Sequence, residues 1–181
     1  GQSIDVRIAI LPTTHGEKVT LRILAQGEAP DSLDALGMWP RSRAALERAI
    51  AQPFGAIVVV GPTGSGKTTT LYAGLQVLNT PDRQLTTIED PVEFIHGPLK
   101  SVVTQRQVGV HAESFLQAHR SSLRESPDVL VVGEMRDHET VALALSAAES
   151  GVLVFGTLHA NSASRAVDRI LQLPHPTRYA S

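Results

Sequence analysis

The feature that most constrains this chain is the stretch GAIVVVGPTGSGKTTT at residues 55–70. An apolar run at 56–60 leads into glycine, lysine and threonine residues with the spacing G-x-x-x-x-G-K-[ST], and a helix-compatible sequence follows. A glycine-rich strand-to-helix turn without a ligand is the alternative, but both flanks are those that a phosphate-binding loop requires. The predicted nucleotide-binding residues are Gly61, Pro62, Thr63, Gly64, Ser65, Gly66, Lys67, Thr68 and Thr69.

The residue types in this loop suit the binding of an anion. Glycine at 61, 64 and 66 lets main-chain amides approach phosphate oxygens and adopt positive φ angles. Lys67 is placed to bring positive charge to the β- and γ-phosphates, and Thr68 is placed to bind Mg²⁺ through its hydroxyl. The helix that begins there directs the positive end of its dipole at the same anion. We therefore expect a nucleotide and Mg²⁺ as ligands.

The composition limits the other classes of function. With 181 residues, 42% of them hydrophobic, the chain can bury one sizeable core and a small appendage. The net charge of −2 provides no broad positive field for nucleic acid or anionic lipid. The lack of cysteine excludes a disulfide framework and a cysteine zinc site within these residues. No membrane span and no signal peptide are evident, which predicts a cytoplasmic protein.

Residues 3–24 predict a β-hairpin, because apolar and polar residues alternate along two segments separated by turn-forming residues. We expect its apolar face, which includes Ile8 and Leu21, to be buried. Arg7 and Arg22 lie on polar faces and are most simply interpreted as solvated arginines. Gly, Pro and Asp residues between 25 and 39 predict a linker with a short helical turn. The predicted domains are 1–38, the end of an N-terminal domain plus linker, and 39–181, the core.

The rest of the chain alternates short apolar strands with longer helix-forming stretches. This order is typical of an α/β fold with a mostly parallel sheet covered by helices on both faces. Such sheets bind their ligands at the carboxyl ends of the strands, and we expect the site there. Strands are predicted at 56–60, 84–88, 101–105, 128–133 and 152–158, and helices at 41–52, 69–78, 113–125, 137–149 and 162–173.

Several residues with useful chemistry follow the predicted strands. Glu93 and Glu134 are candidates for activating water or holding a Mg²⁺-bound water. His159 could contact the γ-phosphate, although a lone histidine at a strand end is more often structural. Arg120 and Arg124 share one helix face. They could be solvated surface residues, or they could contact a nucleotide or a neighbouring subunit.

Four motifs, in order along the chain, resemble those of the bacterial secretion and type IV pilus motor ATPases. The resemblance covers nearly the whole chain, and it implies a RecA-like P-loop NTPase core, preceded by a β-hairpin remnant of a small N-terminal domain. It also implies hydrolysis of ATP with Mg²⁺. GPTGSGKTTTLYA (61–73) resembles the Walker A motif of the family, and TTIEDPVEFIH (86–96) resembles its Asp box. SPDVLVVGEMRD (126–137) resembles its atypical Walker B motif, and GTLHANSA (156–163) resembles its His box.

The resemblance implies a role for each matching residue. Lys67 and Thr68 would bind phosphate and Mg²⁺, Glu93 and Glu134 would be the catalytic carboxylates, and His159 would be the histidine of the His box. The family also implies a homo-hexameric ring in the cytoplasm, peripheral to the inner membrane. Its partner would be an inner-membrane platform protein of a pilus or secretion system.

Four arginines acquire a second interpretation from the same resemblance. Arg7 and Arg22 are fifteen residues apart, as in the assembly and secretion branch of the family, where such arginines reach nucleotide phosphate when the N-terminal domain closes. Arg120 and Arg124 would support them at a subunit interface. On this interpretation the two hairpin arginines have a catalytic role and are not merely solvated.

The sequence departs from the family pattern at a few positions. Val152, Ala160, His119 and Ser126 stand where His, Thr, Leu and Asp are usual, and Gly133 stands where the commonest Walker B motif has Asp. One alternative is therefore a structural or regulatory subunit that binds ATP but hydrolyses it poorly. A nucleic-acid translocase is a third hypothesis, which the acidic charge balance argues against. The chain is expected to be truncated, and whether the motor extends, retracts or secretes stays open.

Overall fold

The computed structural model describes residues 5–24, 30, 32–95 and 100–172, with the backbone alone for Asp5, Arg7, Arg22 and Leu24. The described residues form a two-stranded antiparallel hairpin and a five-stranded parallel sheet with helices. Residues 25–29 and 31 of the predicted linker lie outside them. Its predicted helical turn is present as a 3-10 turn at Asp34–Leu36.

The hairpin consists of β1 (Asp5–Thr13) and β2 (Gly16–Leu24). Its register pairs Ile8 with Leu21 and places apolar residues opposite one another along one face. The prediction that this face is buried is wrong for the described residues, since Ile8 is 59% and Leu21 62% exposed. The physical reason is that each strand pairs only with the other, and a two-stranded ribbon has no second layer to cover its apolar side.

The second sheet contains the strands β3 (Gly55–Val60), β4 (Gln84–Glu89), β5 (Val102–Gln107), β6 (Val129–Val132) and β7 (Leu153–Leu158). All five are parallel, and their order in the sheet is β3-β7-β6-β4-β5. The three central strands, β4, β6 and β7, consist almost entirely of buried residues, and helices separate most of the strands along the chain, which confirms the predicted α/β fold. Because the strands are parallel, their carboxyl ends meet at one edge.

The helices lie close to the predicted ones. The predicted helix at 113–125 is shorter, because Ser122 passes into a 3-10 turn at Leu123–Glu125 that ends at Ser126 in the left-handed region. Ser114 and Asp137 cap two of the helices by accepting hydrogen bonds from main-chain amides three residues later. The helices are α1 (Pro40–Ile50), α2 (Lys67–Leu78), α3 (Phe115–Ser122), α4 (His138–Glu149) and α5 (Ala163–Gln172).

Both faces of the sheet carry an apolar core, as predicted. In β6, Val129 and Val131 pack into one cluster, whereas Leu130 and Val132 pack into the other. Strand alternation produces this division, because successive side chains point to opposite faces. Residues of α1 and α2 complete the first cluster, and residues of α3, α4 and α5 complete the second. The polar strand ends are therefore positioned by a sheet fixed on both sides.

Candidate nucleotide-binding site

The loop between β3 and α2 has the backbone that its glycines predict. Gly64 and Gly66 adopt φ angles of 76° and 87°, in the left-handed region that favours glycine, and Gly66 is the N-cap of α2. A Cβ atom on Gly61 would collide with the side chain of Ser65. The loop therefore leads directly into the N-terminus of a helix, which is a favourable place for an anion.

Lys67 lies over this loop. Its Nζ donates hydrogen bonds to the main-chain carbonyl oxygens of Gly61, at 3.1 Å, and Pro62, at 2.9 Å. The ammonium group is thereby held beside the loop in which phosphate is predicted to bind. Thr68, the predicted Mg²⁺ ligand, is the next residue of α2 and lines the same pocket.

A cavity of about 600 Å³ opens in front of the loop, at the carboxyl ends of β3, β4, β6 and β7. This volume is within the usual range for small-molecule sites. The structure brings together the loop and three predicted residues from other strand ends, Glu93, Glu134 and His159. The loop residues that line the cavity are Thr63, Gly64, Gly66, Lys67, Thr68 and Thr69.

Glu134 belongs to a cluster of charged side chains on one wall of the cavity. Arg136 Nε donates to Glu134 Oε2 at 2.6 Å, and His159 Nε2 lies 3.1 Å from the other carboxylate oxygen. A second nitrogen of Arg136 lies 3.5 Å from Asp90 Oδ2. Arg136 thus connects the residues after β4 with those after β6, and it fixes the orientation of the predicted catalytic carboxylate.

A second carboxylate, Glu89, lines the inner wall of the cavity and is almost fully buried. Its oxygens accept hydrogen bonds from Tyr72 Oη at 2.5 Å and from Thr87 Oγ1 at 2.7 Å. Burial raises the pKa of Glu89, and the hydrogen bonds from Tyr72 and Thr87 oppose that rise. Burial, followed by the adjacent Glu89, also raises the pKa of Tyr72, so the phenol keeps its proton.

Gly133, the departure from the commonest Walker B motif, has a packing explanation. A Cβ atom there would lie 3.1 Å from the Ile88 carbonyl oxygen and 3.3 Å from Glu89 Cγ. Its amide donates to that carbonyl at 2.8 Å, and its own carbonyl accepts a hydrogen bond from Thr157. A side chain at this position would push β6 away from Glu89.

The predicted arginines do not line this cavity. Arg120 and Arg124 line a separate depression along α3, together with Ser114, Gln117 and Ser121. The structure thus gives no support to nucleotide binding by these arginines within the same chain, while their predicted interface role is untested. Arg7 and Arg22 occupy directly opposed positions in the hairpin register, and their side chains lie outside the described part of the structure.

The donor set suits a magnesium nucleotide better than a bare metal ion. Across residues 5–24, 30, 32–95 and 100–172, no group of three or more His, Asp or Glu side chains could hold a metal. A Mg²⁺ ion in this cavity would take the Thr68 hydroxyl and would need phosphate oxygens and water for its other ligands. The glycine loop, the ammonium of Lys67 and the hydroxyl of Thr68 fit that requirement.

Val152 is distant from the cavity. It lies at the amino end of β7, whereas His159 follows the carboxyl end of the same strand, roughly 20 Å away at the usual rise per residue. A histidine at position 152 would therefore not line this cavity. The absence of that histidine gives no reason to expect slower hydrolysis in this pocket.

Sequence reasoning missed three residues of the site. Arg136 was visible only as part of a motif, and a charged residue two positions after Glu134 gave no sign of folding back on it. Tyr72 and Glu89 were each within a quoted motif, but their contact joins residues seventeen positions apart on different elements. The sequence offered two signals for this contact: a tyrosine in the second turn of a helix, and an acidic residue at the end of a buried strand.

Comparison with known proteins gives the chain a family. The profile of the family described as Type II/IV secretion system protein matches residues 1–178. Type II secretion system ATPase E of Vibrio cholerae is 45% identical over 172 residues, which cover 94% of this chain and 33% of the relative. Type IV pilus assembly ATPase PilB of Pseudomonas aeruginosa is 45% identical over 175 residues, which cover 97% of this chain and 30% of the relative.

A solved structure agrees with these relatives. The pilus retraction motor PilT with bound ADP has a TM-score of 0.80 and 41% sequence identity, covering 96% of this chain and 49% of that one. The chain spans about a third of the length of the two curated relatives. The family profile, the fold and the four motifs agree, and the chain belongs to the type II/IV secretion system protein family.

Proposed function

We propose that this chain is the catalytic part of an ATPase that drives a type IV pilus or a type II secretion system. In this proposal, residues 39–181 are the ATPase core and residues 1–38 are the end of an N-terminal domain plus linker. The observation that supports it most strongly is that one cavity, bordered by the glycine loop, is lined by Lys67, Thr68, Glu93 and Glu134. The named ATPases among the relatives support the same activity.

The proposed reaction is hydrolysis of the γ-phosphate of ATP. Water attacks the γ-phosphorus, the new O–P bond forms as the bond to the β,γ-bridging oxygen breaks, and a carboxylate takes the proton of the water. Glu93 and Glu134 orient and deprotonate that water, while Lys67 places positive charge on the phosphate oxygens. The Thr68 hydroxyl would hold Mg²⁺, which would supply further positive charge to the phosphate oxygens when bound.

The arrangement around Glu134 is suited to this role. Arg136 holds one of its oxygens, so the carboxylate does not need to be oriented when the substrate binds. His159 lies against the other oxygen and lines the cavity, where it can contact the γ-phosphate. We regard Arg136 as a positioning residue for Glu134.

The hairpin arginines belong to the same proposal. The register sets Arg7 directly opposite Arg22. We propose that these two arginines reach nucleotide phosphate when the hairpin closes on the core, with Arg120 and Arg124 at a subunit interface of a homo-hexameric ring.

The secretion and pilus relatives support a proposal for the cellular setting. No helix among the described residues has the length and apolar character needed to cross a bilayer. We propose that the protein works in the cytoplasm at the inner membrane, where it docks on a platform protein of the pilus or secretion system. The PilB and type II relatives and the PilT structure leave extension, retraction and secretion as equal alternatives.

Two variants test the activity. We expect Lys67→Ala to weaken binding of a fluorescent ATP analogue, because the phosphate loses its nearest cation. We expect Glu134→Gln to keep nucleotide binding and to lower kcat by about 100-fold or more, the usual effect of losing a general base. Phosphate release and analogue binding are measured with and without Mg²⁺ in the intact protein.

Matched controls are available on exposed parts of the chain. Lys18→Ala removes an exposed lysine of the hairpin, and Glu149→Gln changes an exposed carboxylate of α4. Both should leave binding and hydrolysis at the wild-type level. Full hydrolysis by Glu134→Gln, or hydrolysis without Mg²⁺, would contradict the proposal.

A further inference from the structure

The buried contact between Tyr72 and Glu89 joins the nucleotide loop to the Asp-box segment. Tyr72 lies in the second turn of α2, the helix that begins at Lys67, and it is 1% exposed. Glu89 is the last residue of β4 and is 4% exposed. Their oxygens lie 2.5 Å apart. A hydrogen bond in such a position restrains the helix relative to the strand end.

Tyr72 also contacts the other end of the same segment. Its hydroxyl lies 3.2 Å from the Phe94 carbonyl oxygen, and its ring packs edge-to-face on Phe94 with the centroids 4.9 Å apart. One side chain of α2 therefore holds both residue 89 and residue 94. The intervening loop carries Glu93, a predicted catalytic carboxylate that is itself exposed.

Glu89 accepts several hydrogen bonds in this contact. Tyr72 donates to one carboxylate oxygen, and Thr87 donates to the other at 2.7 Å. The side chain of Gln105 and the backbone of Glu93 also hydrogen-bond to Glu89. The buried carboxyl group is therefore satisfied by hydrogen bonds, and one of them joins it directly to the backbone of Glu93.

We propose that Tyr72 and Glu89 are positioning residues that hold Glu93 in the place required for hydrolysis. The inference rests on the proposed ATPase function and deepens it. Both residues line the inner wall of the cavity, and in this proposal the link acts on Glu93 through the backbone of residues 90–94. It sets the distance between the phosphate loop, at the start of α2, and the carboxylate on the facing loop.

Three variants separate positioning from simple support of the fold. Tyr72→Phe keeps the ring on Phe94 and removes only the hydroxyl. Glu89→Gln keeps the size of the side chain, and its amide can still form hydrogen bonds with Tyr72 and Thr87, so it preserves the link. Glu89→Leu fills a similar volume without hydrogen bonds. Glu149→Gln is the matched control for an exposed glutamate.

The readouts are kcat and KM for ATP, the Kd for a fluorescent ADP analogue, and amide hydrogen exchange, all in the intact protein. We expect Tyr72→Phe and Glu89→Leu to lower kcat about 10- to 100-fold, the range that small misplacements of catalytic groups produce. KM and Kd should change little. Exchange should lose protection at residues 90–95 and stay unchanged in α4. Glu89→Gln and Glu149→Gln should keep kcat near the wild-type value.

Three results would overturn the inference. The first is a Tyr72→Phe protein with wild-type kcat and exchange. The second is a Glu89→Gln protein as impaired as Glu89→Leu, since the hydrogen bonds would then not explain the effect. The third is loss of protection spread across α2 and α4 with weaker binding, which indicates loosening of the whole fold. If the wild-type protein binds ATP without hydrolysing it, the proposed function fails, while the exchange data still decide whether the link holds the loop.

Discussion

The hairpin and the five-stranded sheet carry similar apolar patterns but differ in what covers them. Ile8, Leu21 and Ile23 of the hairpin are between 59% and 67% exposed, whereas Leu130 and Phe155 of the sheet are at most 1% exposed. Alternation fixes which face of a strand is apolar, but burial requires a second layer. The sheet obtains that layer from helices within the chain, and the described hairpin has none.

The largest effect should come from the core of the sheet. Phe155 is buried in β7 and packs against Gly74 of α2, so Phe155→Ala leaves a cavity that the packed neighbours cannot fill. We expect a loss of about 3–5 kcal/mol in the free energy of unfolding. Chemical denaturation of the 181-residue chain measures it. A loss similar to that of a hairpin variant would remove the distinction between the two regions.

The next largest effect should come from Gly133, the residue that follows the carboxyl end of β6. Gly133→Ala adds a methyl group that must lie within 3.1–3.3 Å of Ile88 and Glu89 atoms, which are held by the strand pairing. Overpacking of this kind costs about 1–3 kcal/mol in the free energy of unfolding. Denaturation with a nucleotide-binding assay checks it. Unchanged stability would show that β6 shifts freely and that Glu89 is not tightly packed.

His119 should make the stability of the core depend on pH. It is 1% exposed, neither ring nitrogen has a hydrogen-bond partner within the described residues, and burial lowers its pKa from 6.5. As the pH falls below 6.5, the unfolded chain takes up a proton that the folded chain resists, so stability falls, by up to about 1.4 kcal/mol per pH unit. Denaturation between pH 7.5 and 5 measures this slope.

The matched variant for that slope is His119→Leu, which places the residue usual in the family at this position. It should flatten the dependence below pH 6.5 and raise stability at neutral pH, because an unpaired buried imidazole is removed. An unchanged slope would assign the dependence to other groups.

The hairpin should give the smallest effect. Ile8→Ala truncates a side chain that is already 59% exposed, so we expect a change of at most about 0.5 kcal/mol, as for other surface substitutions. The change in the free energy of unfolding is measured for Ile8→Ala in the 181-residue chain and again in a longer protein that contains this chain. A loss above 1 kcal/mol in the longer protein alone would identify a segment that covers this face.

The fold could be predicted from sequence because its signals are local. The glycine spacing at 61–68 and the apolar runs before Gly61 and Gly133 identify strands and a loop without knowledge of the neighbours. The gathering of Lys67, Glu134 and His159 followed from one rule, that parallel strands bring their carboxyl ends together. Element bounds were predicted less accurately, because the sequence did not reveal that α3 passes into a 3-10 turn after Ser122.

The parts that sequence did not reveal depend on contacts between distant elements. No pattern connects Tyr72 with Glu89, or Arg136 with Asp90, because each pair meets only after the strands have been ordered in the sheet. The exposure of the hairpin was missed for a related reason, since alternation does not say whether a covering layer exists.

The pocket is assembled from segments spread between Thr63 and His159, so it exists only when four strands have taken their places. An unfolded chain has nothing comparable to offer a nucleotide. Binding therefore acts by mass action on the folding equilibrium, and a ligand at one hundred times its Kd should add about 2.7 kcal/mol of stability. A thermal melt with added ADP would thus report on the integrity of the whole sheet as well as on the affinity.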